Sequence, residues 1–315
     1  MKMAKIKIGM LGAGGISSRV AAGIKQSENC ELARVCSRDI NKAKKLAEAF
    51  SVPDFSDDYS DLFKDDIDAV YIVTVNKMHY EHIKLCLANK KHVICEKPML
   101  SDKTEIDELY DLAQHNNVML LEAMKCRYLP TLAKVKELLK DYPYPQTLSA
   151  TFCRNEPHNQ DYNGNFYDVK YSGAMKDIGC YVYSWAMELF PEATVDSSLQ
   201  RSLSHGVDTD AWLYLKNDKG LYMQLGCSVI YDCENVGLIT GDNYQISVRD
   251  FWKTCEIEVR QGNRLSASFK EDIGSEFAYQ VDFFGATIKK AAWNEVNQRE
   301  REFLKRIVDF YPTSM

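Results

Sequence analysis

The 315-residue chain has no C-x-x-C pair, no long apolar run and no excess of basic charge, and each absence removes a class of function. Its ten cysteines, at Cys30, Cys36, Cys86, Cys95, Cys126, Cys153, Cys180, Cys227, Cys233 and Cys255, are scattered through apolar segments. That spacing suits buried free thiols in a reducing compartment rather than a disulfide framework or a zinc site, so no metal is expected. No stretch approaches the roughly 18 uncharged apolar residues of a membrane span. Met1 to Met10 interleaves Lys2, Lys5 and Lys7 with single apolar residues, unlike a signal peptide, and the expected location is cytoplasmic. Lys and Arg total 39 against 45 Asp and Glu, a net charge of −6, so no global positive field draws nucleic acid or an anionic membrane. No basic helix-turn-helix extension is present either.

What is there is an ordinary globular composition, 45% hydrophobic and 27% charged, in a length that fits two domains at roughly 150 residues each. The first third alternates short β-branched runs with helical periodicity. Strands are expected at Ile6 to Met10, Leu32 to Cys36, Ala69 to Val73, His92 to Cys95 and Val118 to Leu121. Helices are expected at Ile16 to Lys25, Asn41 to Phe50, His79 to Ala88 and Thr104 to His115. Repetition of strand, helix, strand builds a doubly wound parallel sheet of Rossmann type.

A helix from Leu129 to Leu139 follows, and then Pro143 and Pro145 mark a change of period. Strands without intervening helices are expected at Thr147 to Cys153, Ala211 to Leu215, Leu221 to Val229, Tyr244 to Val248 and Cys255 to Val259, with helices near Met175 to Leu189 and Glu276 to Lys290. Asn217-Asp218-Lys219-Gly220 and Gly241-Asp242-Asn243 supply turn residues between strands. The fold class is therefore α/β: residues 1–125 form a dinucleotide-binding domain, and residues 126–315 form an α+β domain with a large, mostly antiparallel sheet for substrate and oligomerisation. Strands apolar on both faces, as in Tyr222-Met223-Gln224-Leu225, point to homodimerisation through that sheet.

Gly12-Ala13-Gly14-Gly15-Ile16-Ser17 stands where the first strand meets the first helix. A glycine turn there lets backbone N–H groups and a helix N-terminus meet a pyrophosphate, with Gly12, Gly14, Gly15 and Ile16 as contacts. Ser17 replaces the last glycine with another small residue. The second strand ends in Ser37-Arg38, a hydroxyl and a planar cation suited to a 2′-phosphate, so NADP is preferred. Asp39 keeps NAD open.

Glu96-Lys97-Pro98 follows another strand end, and Pro98 restricts Lys97 to extended conformations. On a helix, Asp177 and Tyr181 at i and i+4 share a face. The glycine turn, Thr74-Val75-Asn76-Lys77-Met78-His79, Glu96-Lys97-Pro98 and Asp177-Ile178-Gly179-Cys180-Tyr181 occur in that order. Together they resemble the glucose-fructose oxidoreductase and inositol dehydrogenase (Gfo/Idh/MocA) family over nearly the whole chain. Glu122-Ala123 and Gly173-Ala174-Met175 look most like the dimeric dihydrodiol dehydrogenases and NADP-dependent D-xylose dehydrogenases.

The resemblance implies an NAD(P)-dependent dehydrogenase moving a hydride between nicotinamide and a carbinol carbon of a sugar, polyol or vicinal diol. It implies catalytic Lys97, Tyr181 and Asp177, and cofactor contacts at Thr74, Asn76, His79, Glu96 and Lys97. Tyr181 stands where many relatives carry His. A tyrosine titrates near pH 10, and a neighbouring ammonium such as that of Lys97 favours the phenolate. The polar, aromatic segment Asn155 to Tyr171, with His158, Tyr162, Asn163, Asn165, Phe166 and Tyr167, is expected to form a substrate-side loop. Two alternatives stay open: an NAD-dependent sugar or cyclitol dehydrogenase, and a non-catalytic NADP-binding sensor.

Overall fold

The computed structural model describes residues 4–155, 168, 170–203 and 206–311, which fall into two compact units. The expected substrate-side loop, with His158, Tyr162, Asn163, Asn165, Phe166 and Tyr167, lies almost entirely outside the described residues. The first unit comprises residues 1–124 together with Ser275–Val308. This corrects the expectation that residues 126–315 form one domain.

In the first unit six parallel strands, β1 (Ile6–Leu11), β2 (Cys30–Cys36), β3 (Asp54–Ser56), β4 (Ala69–Ile72), β5 (His92–Glu96) and β6 (Leu120–Ala123), lie in the order β3-β2-β1-β4-β5-β6. The order reverses beside β1, the switch point at which doubly wound sheets bind nucleotides. Helices α1 (Ser17–Gln26), α2 (Ile40–Phe50), α3 (His79–Ala88) and α4 (Lys103–His115) form the crossovers. Asp39 caps α2 and Asp102 caps α4, each accepting two N–H groups of the first turn. β3 escaped the sequence reading because three residues carry too short a pattern.

The returning segment forms α7 (Ala278–Lys289) and α8 (Trp293–Val308), the latter not foreseen. Its attachment is specific. Gly23 of α1 and Gly285 of α7 sit where a Cβ would come within 2.5 Å of Phe277 and Cys30 respectively, so small residues permit the close packing. The Asn297 side chain accepts from Leu120 N–H at 3.0 Å and donates to the Val118 carbonyl at 2.8 Å, completing the edge of β6. Leu304 enters the core of α3, α4, β4 and β5, while Arg301 pairs with Asp107 and Asp111.

The second unit comprises residues 125–274 and 309–315. After α5 (Pro130–Leu138) its eight strands are β7 (Thr147–Cys153), β8 (Thr194–Ser202), β9 (Asp208–Lys216), β10 (Tyr222–Ser228), β11 (Val236–Thr240), β12 (Gln245–Arg249), β13 (Cys255–Gln261) and β14 (Arg264–Glu271). They run in the order β14-β13-β12-β11-β7-β10-β9-β8, antiparallel except between β7 and β10. A π-helical turn, Met175–Gly179, leads into α6 (Cys180–Leu189), whose Trp185 lies against Gly237 on one sheet face. The turn expected at Asn217–Gly220 joins β9 to β10, with Gly220 at φ +85°. Nine of the ten cysteines are buried and all are free thiols. No helix among the described residues is long and apolar enough to cross a membrane.

Three histidines of the first unit are held neutral. Burial keeps His79 below its ordinary 6.5 and brings His82 and His92 down to about 4. Between those values the unfolded chain binds protons that the fold refuses, so the stability these rings contribute is complete above about pH 6.5 and lost as pH falls toward 4. The urea midpoint is expected to drop between about pH 7.5 and 5, and less so in a His92→Gln variant. A midpoint that is flat across this window contradicts the assignment.

Candidate functional site

Gly12 leaves β1 at φ +116°, and a Cβ there would meet the Val73 carbonyl oxygen at 2.9 Å, so both conformation and space demand glycine. Gly14 and Gly15 are different. No heavy atom lies within 4 Å of where their Cβ atoms would sit, so packing does not require glycine at either. The open space above this backbone is what close approach of a pyrophosphate needs, and no side chain caps the N-terminus of α1 after Ile16. Ser17 is buried, with its hydroxyl 3.5 Å from the Gly12 carbonyl. It fills the tight helix–strand junction that the motif gives to glycine.

At the end of β2 the Asp39 carboxylate accepts from Asn41 and Lys42 N–H at 3.0 and 3.3 Å. The group that would hold a ribose 2′-hydroxyl is thus engaged as a helix cap. Arg38 is exposed, and among the described residues no ion pair holds its guanidinium. Ser37 accepts from Asp39 N–H at 3.3 Å.

Lys97 sits on a turn fixed from three directions. On one side Glu96 accepts from the Tyr71 hydroxyl at 2.8 Å, and Tyr71 in turn accepts from Gln280 Nε2 at 2.7 Å. Next, the Pro98 carbonyl faces His79 Nδ1 at 3.0 Å, while His79 Nε2 faces the Thr74 carbonyl at 3.1 Å. Beyond the proline, Glu122 Oε1 accepts from Met99 N–H at 2.9 Å. Tyr71, His79, Glu96, Glu122 and Gln280 are all buried. Burial of a polar group without a partner costs about 1–3 kcal/mol, so these bonds hold the turn to one geometry.

The expected ribose contact at His79 meets a different setting. The ring is fully buried between two backbone carbonyls, and as a neutral imidazole it donates to one of them while packing against the other. Thr74 also bonds His82 Nδ1 at 3.0 Å through its hydroxyl. Asn76, in the short 3-10 turn before α3, is half-buried. Gly12 to Ile16, Ser37, Arg38, Thr74, Asn76, Glu96 and Lys97 therefore gather along one edge of the sheet, where β1, β2, β4 and β5 end. Tyr71 and Gln280 were missed because an apolar strand and a helix 209 residues later give no sequence sign of sharing a bond.

In the second unit Asp177 belongs to the π turn and Tyr181 to the first turn of α6, not to one regular helix as the spacing implies. π turns recur at functional sites. This one is anchored by buried Asp208, which accepts from Met175 N–H at 2.6 Å. Burial raises the Asp208 pKa, opposed by that N–H and by Lys176. Gly173, at φ +113°, has no room for a Cβ, which would fall 2.0 Å from Asp208 Oδ1. The Gly173-Ala174-Met175 motif is thereby explained by a carboxylate that sequence reading did not single out. Asp177 lies 4.0 Å from Arg154, and the Tyr181 ring is flanked by Phe152 at 5.9 Å between centroids.

Residues 6–124 match the model of an oxidoreductase family with an NAD-binding Rossmann fold, GFO_IDH_MocA. Scyllo-inositol 2-dehydrogenase (NADP(+)) of Bacillus subtilis is 27% identical over 305 residues, covering 95% of this chain and 92% of that protein. Trans-1,2-dihydrobenzene-1,2-diol dehydrogenase of Xenopus tropicalis is also 27% identical, over 82% of this chain and 80% of its own. Among solved structures, a 3-ketoreductase from Actinomadura kijaniata in complex with NADP and TDP-benzene superposes with a TM-score of 0.83 at 21% identity, covering 96% of each chain.

Proposed function

We propose that the chain is an oxidoreductase of the Gfo/Idh/MocA family that catalyses reversible, NADP-linked oxidation of a carbinol carbon in a sugar, polyol or vicinal diol. The observation that carries this reading is the three-way hold on the Lys97 turn, built from five buried polar side chains. A nucleotide sensor has no use for a lysine so fixed.

The glycine turn, the free N-terminus of α1 and the Ser37-Arg38 end of β2 hold the dinucleotide, and Arg38 takes the 2′-phosphate. Bound nicotinamide supplies the hydride acceptor or donor. Tyr181 exchanges the substrate hydroxyl proton at its phenol oxygen. Lys97 stabilises the alkoxide-like oxygen through its ammonium, and Asp177 orients the substrate hydroxyl. Glu96 and His79 position the Lys97 turn. The buried thiols suit a reducing compartment, and a cytoplasmic enzyme is the reading we favour.

We further propose a homodimer through the sheet face opposite α6. The facing side chains of β7, β10 and β11 there, Thr147, Ser149, Thr151, Tyr222, Gln224, Val236, Leu238 and Thr240, include no charge. Charged residues such as Glu256, Glu258 and Lys270 lie toward the β14 edge. An uncharged centre with a charged rim is the pattern of a protein interface.

A panel of aldoses, inositols and vicinal diols, read by fluorescence of the reduced nicotinamide, should reveal turnover with NADP. Lys97→Ala and Tyr181→Phe are each expected to cut kcat by about 10²–10⁴-fold while NADPH binding persists. Tight NADPH binding with no turnover of any substrate would identify a sensor. Arg38→Ala should raise KM for NADPH far more than for NADH, and equal effects remove the 2′-phosphate assignment. Light scattering should give twice the chain's 36.0 kDa, falling to one chain in Leu238→Glu; a wild-type monomer rules out the dimer.

A further inference from the structure

The second unit opens with a 3-10 turn, Lys125–Arg127, whose three side chains are all buried. Lys125 is only 4% exposed, and its Nζ lies over the Tyr181 ring, 5.7 Å from the centroid. The turn is tied to α6 along its length. Cys126 Sγ lies 3.8 Å from the Tyr181 carbonyl, and Arg127 pairs with Glu188 at 2.8 Å. Lys125 is therefore held near Tyr181 by the contacts that the two residues after it make with α6.

A buried ammonium is a costly choice, because apolar side chains of the same volume are often as stable or more so. Here Phe152 flanks the ring from β7 and stacks on Trp252 at 3.7 Å, giving an apolar wall that strengthens electrostatic effects. Among the described residues, several ionisable groups from the elements packed around Tyr181 pair with opposite charges or are kept neutral. Asp177 faces Arg154 at 4.0 Å, and Glu188 takes both Arg127 and Lys136. The Cys126 thiol is pushed up by burial, as are Tyr183 and Cys227 between α6 and β10. Cys180 turns its thiol to the Asp177 carbonyl at 3.3 Å, and Asp208 and Lys176 lie at the far end of the π turn.

We propose that Lys125 is a positioning residue for proton transfer: its ammonium over the Tyr181 ring favours the phenolate and sets the pH at which Tyr181 exchanges the substrate proton. The proposal rests on the reading of Tyr181 as the proton-exchanging group. When the alcohol is oxidised, the hydroxyl proton would pass to the phenolate oxygen and the carbon–oxygen double bond would form as the hydride, with its electron pair, goes to the oxidised nicotinamide that the proposed activity supplies. Lys125 transfers nothing. Its attraction to the ring grows as the ring gains negative charge, which lowers the tyrosine pKa. Tyr181 is thus tuned inside its own unit, whatever Lys97 adds.

The test needs no substrate. Tyrosinate absorbance is titrated in the full-length protein and in Tyr181→Phe, and the difference gives the titration of Tyr181 alone. The same difference is then measured on a Lys125→Met and on a Lys125→Arg background. Tyr181 is expected to titrate about one pH unit or more higher with Met, a tenfold loss of phenolate at a given pH, and near the wild-type value with Arg. Lys125→Gln serves if the Met variant does not fold. An unshifted titration in the neutral variants overturns the proposal. A shifted titration alongside full turnover of Tyr181→Phe would instead leave the tuning intact and sink the catalytic reading of Tyr181.

Discussion

Everything proposed for the first unit depends on keeping one flexible side chain, Lys97, on a turn that cannot wander. The constraint is the intolerance of buried polar groups for missing partners. Glu96, the Pro98 carbonyl and the Met99 N–H each meet a buried partner, in Tyr71, His79 and Glu122. Each bond adds only about 0.5–1.5 kcal/mol net, but breaking one strands its partner at a cost of about 1–3 kcal/mol. The alternatives to the observed turn are thus penalised more steeply than the observed turn is favoured, which is what rigidity means for a loop. His79 also packs its other nitrogen 3.1 Å from the Thr74 carbonyl, so the ring fills the space between two strand ends that border the nucleotide edge.

The same network explains why the chain returns to its first unit after completing the second. Gln280, on α7, supplies the last donor of the chain that runs through Tyr71 to Glu96. Asn297, on α8, completes the backbone bonding beside β6, the strand that carries Glu122. A doubly wound sheet needs neither helix to close its crossovers. Residues 275–308 therefore act as a brace on the strands that aim Lys97, and their close packing through Gly23 and Gly285 leaves little freedom for them to shift.

Much of this was legible in the sequence because local rules decide it. Parallel-strand runs and the glycine turn act over a few residues, and, β3 apart, the strands and crossovers of the first unit fall within a residue or two of expectation. What was not legible depends on partners remote in sequence. The return of α7 and α8 is set by bonds such as Gln280 to Tyr71, and β8, exposed throughout, has no alternating pattern to read. The site divides in the same way. Gly12, Ser37, Arg38, Lys97, Asp177 and Tyr181 announce themselves in motifs. The groups that lie against them or their turns, Tyr71, Asp208 and Lys125, are ordinary residue types whose placement appears only when the chain has folded.

Asp39 shows how an orienting contact bears on specificity. Its carboxylate stands near the end of β2, where an acidic residue would accept the ribose hydroxyls of NAD. Here it caps α2 through two backbone N–H groups, a role whose loss costs typically about 1 kcal/mol. Both N–H groups meet the same oxygen, Oδ1, so the cap fixes the direction of the carboxylate, and a ribose hydroxyl would have to reach Oδ2 in that fixed geometry beside the cation of Arg38. A 2′-phosphate would pair with the Arg38 cation instead and needs no bond to that carboxylate. The cap that begins α2 thus sets where the Asp39 carboxylate stands beside Arg38, and a feature of local folding bears on the cofactor preference we propose.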